Sequence, residues 1–145
     1  MSIMDAKLEF SDAQLISASS ASTVSGTNEF VMSTVYDAWG TSITNDIGEG
    51  NNGLVVNFSV ATALNTSAYV VAKVWHHTAS GVTSGAVLGT TTFAAADVAG
   101  TRKSVRIPAG TVNKWMGVQY STVGSNMTTG AMNAWLSLDS ETPST

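Results

Sequence analysis

The sequence contains no cysteine, which excludes disulfide staples, thiolate zinc sites and cysteine nucleophiles and leaves stability to packing. Charge is scarce too. Only 11% of the residues are charged, against about a quarter in ordinary soluble domains. Six Lys and Arg against ten Asp and Glu give a net charge of −4, so no basic surface exists to track phosphates. The closest basic set, Arg102, Lys103 and Arg106, fits a strand end equally well, and nucleic acid is not expected as a partner. No apolar run approaches the ~20 residues of a membrane span, and the first ten residues, with Asp5, Lys7 and Glu9, lack the apolar stretch of a signal peptide. The expectation is a soluble chain with no membrane partner. Its two histidines, His76 and His77, are adjacent; on a strand they point to opposite faces and cannot share one metal ion.

What is abundant is Ser, Thr, Gly and Ala, together with Val and aromatics that favour strands over helices. A chain of 145 residues is long enough to bury a core without staples. Residues 1–145 therefore read as a single domain, with a flexible N-terminal arm over about 1–12 and a frayed, Pro143-containing tail over about 140–145.

The strongest periodic signals have period two and recur between loops rich in Gly, Asn, Ser and Thr. In 54–61, Leu54, Val56, Phe58 and Val60 share one face, which points to the core. In 68–77, Val70, Ala72 and Val74 oppose Tyr69, Val71, Lys73 and Trp75, so both faces are partly apolar. Further strands are expected over 87–93, 103–107 (ended by Pro108), 115–121 with Met116, Val118 and Tyr120 inward, and 132–138 with Met132, Ala134, Leu136 and Leu138 inward. The first third is vaguer, with strands around 14–17 and 29–33 and an irregular excursion over 36–52. One helical turn is expected at 94–98, closed by Gly100. The count is about eight strands, and the fold class is all-β, a jelly-roll-like antiparallel β-sandwich.

Reactive chemistry has no positive signal. The run 48–53 has the glycine spacing of a dinucleotide-binding turn, but a strand follows it where a helix would have to receive the phosphates, so it reads as a turn. Asp46 and Glu49 offer oxygens to a calcium ion, yet two acids in one loop read first as solvated. No Gly-x-Ser-x-Gly elbow ties a serine to either histidine. The chain is expected to be no enzyme and to need no metal or cofactor. The informative residues are Tyr69, Val71 and Trp75, with Trp115 and Trp135, all opposite the inward residues of their strands. Large apolar side chains on outer sheet faces call for either a covering layer of chain or a partner surface. Trp39, in the excursion, can serve either role. A groove that stacks aromatic faces on sugar rings uses the same residue types, which makes a carbohydrate-binding module of a tail fibre or receptor-binding protein the alternative reading.

Several segments stand in one order along the chain. They are Leu8-Glu9-Phe10-Ser11-Asp12-Ala13-Gln14 leading into a Ser/Ala/Thr run over 17–23, and Asp46-Ile47-Gly48-Glu49-Gly50 before the strand at Leu54. Next come Ser104-Val105-Arg106-Ile107-Pro108 before the strand from Trp115, and finally Ala134-Trp135-Leu136-Ser137-Leu138-Asp139. As a set they resemble the capsid cement, or decoration, proteins of tailed bacteriophages of the podophage type. The resemblance runs nearly end to end and departs from the family pattern at Asn113-Lys114-Trp115 and over 36–44. It implies a jelly-roll-like sandwich that forms a homodimer or homotrimer. The oligomer would bind the major capsid protein on the outer surface of the expanded head, after assembly in the host cytoplasm. In that role Trp39, Tyr69, Val71, Trp75, Trp115 and Trp135 are the candidates for oligomer or capsid contact.

Overall fold

The computed structural model describes residues 9–17, 23–26, 30–31, 35–36, 42–43, 46–47, 54–65, 67–78, 85–107, 110–111 and 115–137. Among these, every regular element is a strand. In chain order they are β1 (Glu9–Leu15), β2 (Thr23–Ser25), β3 (Phe30–Val31), β4 (Val35–Tyr36), β5 (Ser42–Ile43), β6 (Asp46–Ile47), β7 (Val55–Thr62), β8 (Tyr69–His77), β9 (Ala86–Phe93), β10 (Arg102–Arg106), β11 (Gly110–Thr111), β12 (Trp115–Val123) and β13 (Ala131–Ser137).

They form two antiparallel sheets. The first has the order β1-β13-β7-β10, and the second has the order β2-β12-β8-β9, with β3 also on β12. Strands β2 and β3 pair with successive stretches of the same edge of β12 and act as one interrupted strand. The sandwich therefore has eight strand positions, four in each sheet. Numbered along the chain, position 1 pairs with 8, 2 with 7, 3 with 6 and 4 with 5. Two short ladders, β4 with β5 and β6 with β11, stand outside the two sheets.

Alternation places the core as the sequence predicts. Val56, Phe58 and Val60 of β7, Met132, Ala134 and Leu136 of β13, Val70, Ala72 and Val74 of β8, and Met116, Val118 and Tyr120 of β12 belong to one buried cluster. Complete burial of one such aliphatic or aromatic side chain is worth about 1.5–3 kcal/mol, so this interlayer is the main source of stability. At the open side between β9 and β10, Lys103 turns inward, donates to the Thr92 carbonyl and lies 5.3 Å from the Phe93 ring centroid. An inward lysine at a sheet edge blocks pairing with a foreign strand.

The expected strands of the second half match those observed to within a residue or two. Two expectations need correction. Strand β1 begins at Glu9, with Phe10 and Ser11 fully buried, so residues 9–12 belong to the sandwich and not to an arm. The helical turn expected at 94–98 is absent. Ala96 instead takes a left-handed φ of 64°, the Asp97 carboxylate accepts from the Ala94 N–H at 2.9 Å, and Ala96 N–H donates to the Asn65 carbonyl at 2.9 Å. An aspartate that bonds its own backbone competes with helix. Strand β2 was not foreseen, because Thr23-Val24-Ser25 is too short to show a period. The tail 140–145 lies outside the described residues.

One polar chain crosses the interlayer. Tyr120, buried on β12, donates its hydroxyl to Ser11 Oγ of β1 at 3.0 Å. Ser11 Oγ donates in turn to Gln14 Oε1 at 3.0 Å, and Gln14 Nε2 donates to the Ser25 carbonyl of β2. The Tyr120 ring also meets Phe58 of the opposite sheet edge-on, with centroids 6.2 Å apart. Burial pushes the Tyr120 phenol well above its usual range, opposed by its hydrogen bond to Ser11. A phenol raised in the folded state contributes stability that is complete below the unfolded value, about 10, and is lost as pH rises through the folded value. Tyr120→Phe is expected to cost roughly 1–2 kcal/mol in urea denaturation at pH 7. It should also flatten the fall in stability above pH about 10 relative to the parent, and an unchanged alkaline slope would count against the buried phenol as its cause.

Candidate interaction surface

Strands β8 and β12 pair along their full length, from Trp115 opposite His77 to Val123 opposite Tyr69. On β8 the core takes Val70, Ala72 and Val74, which turns Tyr69, Val71, Lys73 and Trp75 to the outer face. On β12 the core takes Met116, Val118 and Tyr120, which turns Trp115, Gly117 and Gln119 to that same face. The fold therefore gathers Tyr69, Val71, Trp75 and Trp115 on one side of the molecule. Trp135 is elsewhere, on the outer face of the other sheet, directly across from Asn57 of β7.

Orientation and accessibility part company on these faces. Tyr69 is 40% exposed, and Val71 and Trp115 are half-buried, but Trp75 is 2% exposed and Trp135 6%. Outward orientation therefore leaves surface at Tyr69, Val71 and Trp115 but almost none at Trp75 and Trp135. Of the two explanations open for the outward aromatics, coverage by the same chain holds for Trp75 and Trp135. A local cause is visible for Trp75. Its cross-strand neighbour is Gly117, and a Cβ built on Gly117 would sit 2.5 Å from the Trp75 ring, while one on Gly85 would sit 3.0 Å from it. The two glycines leave the space, a floor without side chains, that the indole occupies. Among the described residues the Nε1–H of Trp75 and of Trp135 meets no acceptor, and a buried donor left unpaired costs about 1–3 kcal/mol. Neither ring face is open, which removes both from any sugar-stacking platform.

Among the described residues, the ionisable side chains of β8 and β12 on the Tyr69 face are Lys73, opposite buried Gln119, and His77, opposite Trp115. At the edge of the other sheet, burial first and the nearby Asp12 second raise the Glu9 carboxyl above its usual range. Among the described residues no group of three or more His, Asp or Glu is placed to hold a metal ion, and no helix is long and apolar enough to cross a membrane. Trp39, Glu49 and the turn at 48–53 lie outside the described residues.

Three exposed apolar residues were missed by sequence reasoning: Val87, near the start of β9 and 55% exposed, and two others. Leu15, at the end of β1, is 71% exposed, and Val98, in the β9–β10 connection, is 65% exposed. Alternation carries no information about a strand's last residue or about a turn. The one available signal for Val98 was its setting in the alanine-rich stretch 94–99, where Asp97 is the one charged residue.

No protein-family model matches the chain, and a search of curated proteins finds no relative.

The glycine floor beneath Trp75 is directly testable. Gly117→Ala drives a methyl into a buried ring and is expected to destabilise by about 1–3 kcal/mol, read as a lower Tm together with a red-shifted tryptophan emission. A neutral substitution with unchanged emission would show that the ring does not rest there.

Proposed function

We propose that this chain is a capsid cement protein: a non-enzymatic virion component that binds the outside of an expanded tailed-phage head as a homodimer or homotrimer and ties major capsid subunits together. One observation carries the reading. The segments in which the sequence resembles that family, 8–14 leading into 17–23, 46–50 before the strand at Leu54, 104–108 before the strand from Trp115, and 134–139, occur in one order nearly end to end. Three of them fall in β1, β10 and β13 of one sheet, and Asp46-Ile47 forms β6 in a separate short ladder.

The pairing of positions 1 with 8, 2 with 7, 3 with 6 and 4 with 5 adds support. It is the order produced by rolling one long hairpin into a sandwich, which we read as a jelly roll, an architecture recurrent in viral capsids. The physical demands of the role fit as well. Cementing a shell requires many modest contacts repeated by symmetry. Once one contact of an oligomer has formed, the next forms at high effective concentration, so weak interfaces sum to a strong clamp. Tyr69, Val71 and Trp115 are the described candidates that retain surface for such contacts.

Co-sedimentation with expanded shells of the major capsid protein from the same source, followed by thermal disruption of decorated and bare shells, tests the proposal. Saturable binding that raises the disruption temperature is expected. Absence of binding to intact expanded shells would end this reading and favour a titration with polysaccharides.

A further inference from the structure

Charge is distributed over the two sheets with a polarity that appears only once the strands are paired. In the strands of these sheets, Asp, Glu, Lys and Arg occur as Glu9 and Asp12 on β1, Lys73 on β8, and Arg102, Lys103 and Arg106 on β10. Strands β1 and β10 are the opposite edges of one sheet, and β13 and β7 between them carry no charge. The edges of the other sheet, β2 with β3 and β9, are uncharged. One edge of the first sheet is therefore acidic and the other basic. Asp12, Arg102 and Arg106 are exposed and Glu9 is half-buried, whereas Lys103 is already engaged on the Thr92 carbonyl.

The registers set the heights of these charges. Ser104 pairs with Asn57, Asn57 with Trp135 and Trp135 with Glu9, so Glu9 lies level with Ser104, midway between Arg102 and Arg106. Arg102 pairs with Ser59 and Ser59 with Asn133, whose side chain accepts from the Ala13 N–H, so Asp12 and Ala13 lie near the level of Arg102. Within one chain the acids and the arginines are held apart by three strand spacings, about 14 Å. Between two copies set side by side at equal height, they meet.

Complementarity identifies the occupant of each edge as a second copy and sets its orientation. A two-fold contact through either edge places β1 against β1 or β10 against β10, acid on acid or base on base, and like charges at an interface are penalised. A head-to-tail contact, β10 of one copy against β1 of the next, brings unlike charges together at every junction. Burial and, second to it, Asp12 raise the Glu9 carboxyl, a repulsion that an incoming guanidinium relieves. Stacking of this sheet's outer face on a second copy is closed off, because Val55, Asn57, Ser59 and Trp135 in its middle are buried. Arg102, Arg106 and Glu9 share that face with their pair partners Ser59, Val55 and Trp135. The contact therefore lies at the corners of one face, and successive copies turn toward it, which closes a ring. Surface ion pairs contribute about 0–1 kcal/mol each, so they select partner and orientation more than they supply affinity.

Resting on the cement reading, which leaves homodimer and homotrimer open, we propose that the assembly unit is a homotrimeric ring closed by β10 of each copy against β1 of the next, with Arg102 and Arg106 facing Asp12 and Glu9. Such a heterologous contact builds rings, whereas a two-fold dimer needs an isologous one. Sedimentation equilibrium and circular dichroism are measured for the full chain, for Arg102→Glu with Arg106→Glu, for Glu9→Lys with Asp12→Lys, and for the fourfold exchange that carries both pairs. A trimer is expected for the parent, weakened as salt rises. Each reversed pair alone is expected to raise the concentration for half-assembly at least roughly tenfold, with the strand signal retained. The fourfold exchange, which restores unlike charges at every junction, is expected to return the trimer.

A parental monomer or dimer would overturn the ring, as would a trimer that both reversed pairs leave unchanged or one that the fourfold exchange fails to restore. If a reversed pair loses the strand signal, Arg102→Gln with Arg106→Gln and Glu9→Gln with Asp12→Asn are read in its place, and assembly equal to the parent's in both overturns the ring. Co-sedimentation with expanded shells separates the two readings. A parent that binds shells as a monomer or dimer keeps the cement reading and loses the ring, and a trimer that binds no shell keeps the ring and loses the cement reading.

Discussion

The sandwich is organised around the contact of Tyr120 with Phe58 and Ser11. Two sheets packed through aliphatic side chains alone can slide, because dispersion contacts carry little directional preference. The edge-on ring pair fixes the lateral position of β12 over β7, and the hydroxyl bond from Tyr120 to Ser11 fixes β12 against β1 at the sheet's edge. A buried hydroxyl held by a hydrogen bond tolerates little displacement, because losing the bond leaves a polar group unpaired. Continuation through Gln14 to the Ser25 carbonyl then secures the short strand β2, whose own ladder covers three residues.

The same economy of charge that shapes the core shapes the surface. With few ionic groups available, edges are protected by other means. Strand β1 carries register shifts and a left-handed Ala13 at φ 42°, its N–H taken by Asn133 Oδ1 at 2.6 Å. The edge on the far side of β12 is broken into β2 and β3. Strand β10 has Arg102, Lys103 and Arg106. Such irregularities deny a foreign strand a flat template, which matters for a protein whose proposed work places many copies side by side.

Much of this was legible in the sequence, and the limits are physical. Phe58, Val74, Val118 and Met132 were placed correctly because each sits in a strand long enough for period two to repeat, and direction within a strand is a local property. Whether Trp75 and Trp135 reach solvent is not local. It depends on what lies over the face, and Gly117, forty-two residues from Trp75 in the chain, supplies the floor for one of them. Ala94-Ala95-Ala96-Asp97 looked helical because alanine favours helix. The contest between that propensity and the Asp97 bond to the Ala94 N–H is decided by the Asn65 carbonyl arriving from another loop. Tyr69, Val71 and Trp115 were placed correctly opposite the inward residues of their own strands, and the pairing of β8 with β12 brings them to one face, whereas Leu15 and Val98 had no pattern to reveal them.

The place of β13 has a consequence for how the molecule comes into being. This strand lies between β1 and β7, so the sheet that opens with the earliest described residues receives an interior member from the latest ones. As the polypeptide leaves the ribosome, β1 has no neighbour within its own sheet until β13 has emerged. Closure of that sheet therefore waits for β13, and pairings between such remote stretches form slowly. Until then a slot stays unfilled beside Phe58, which pairs with Ala134 of β13.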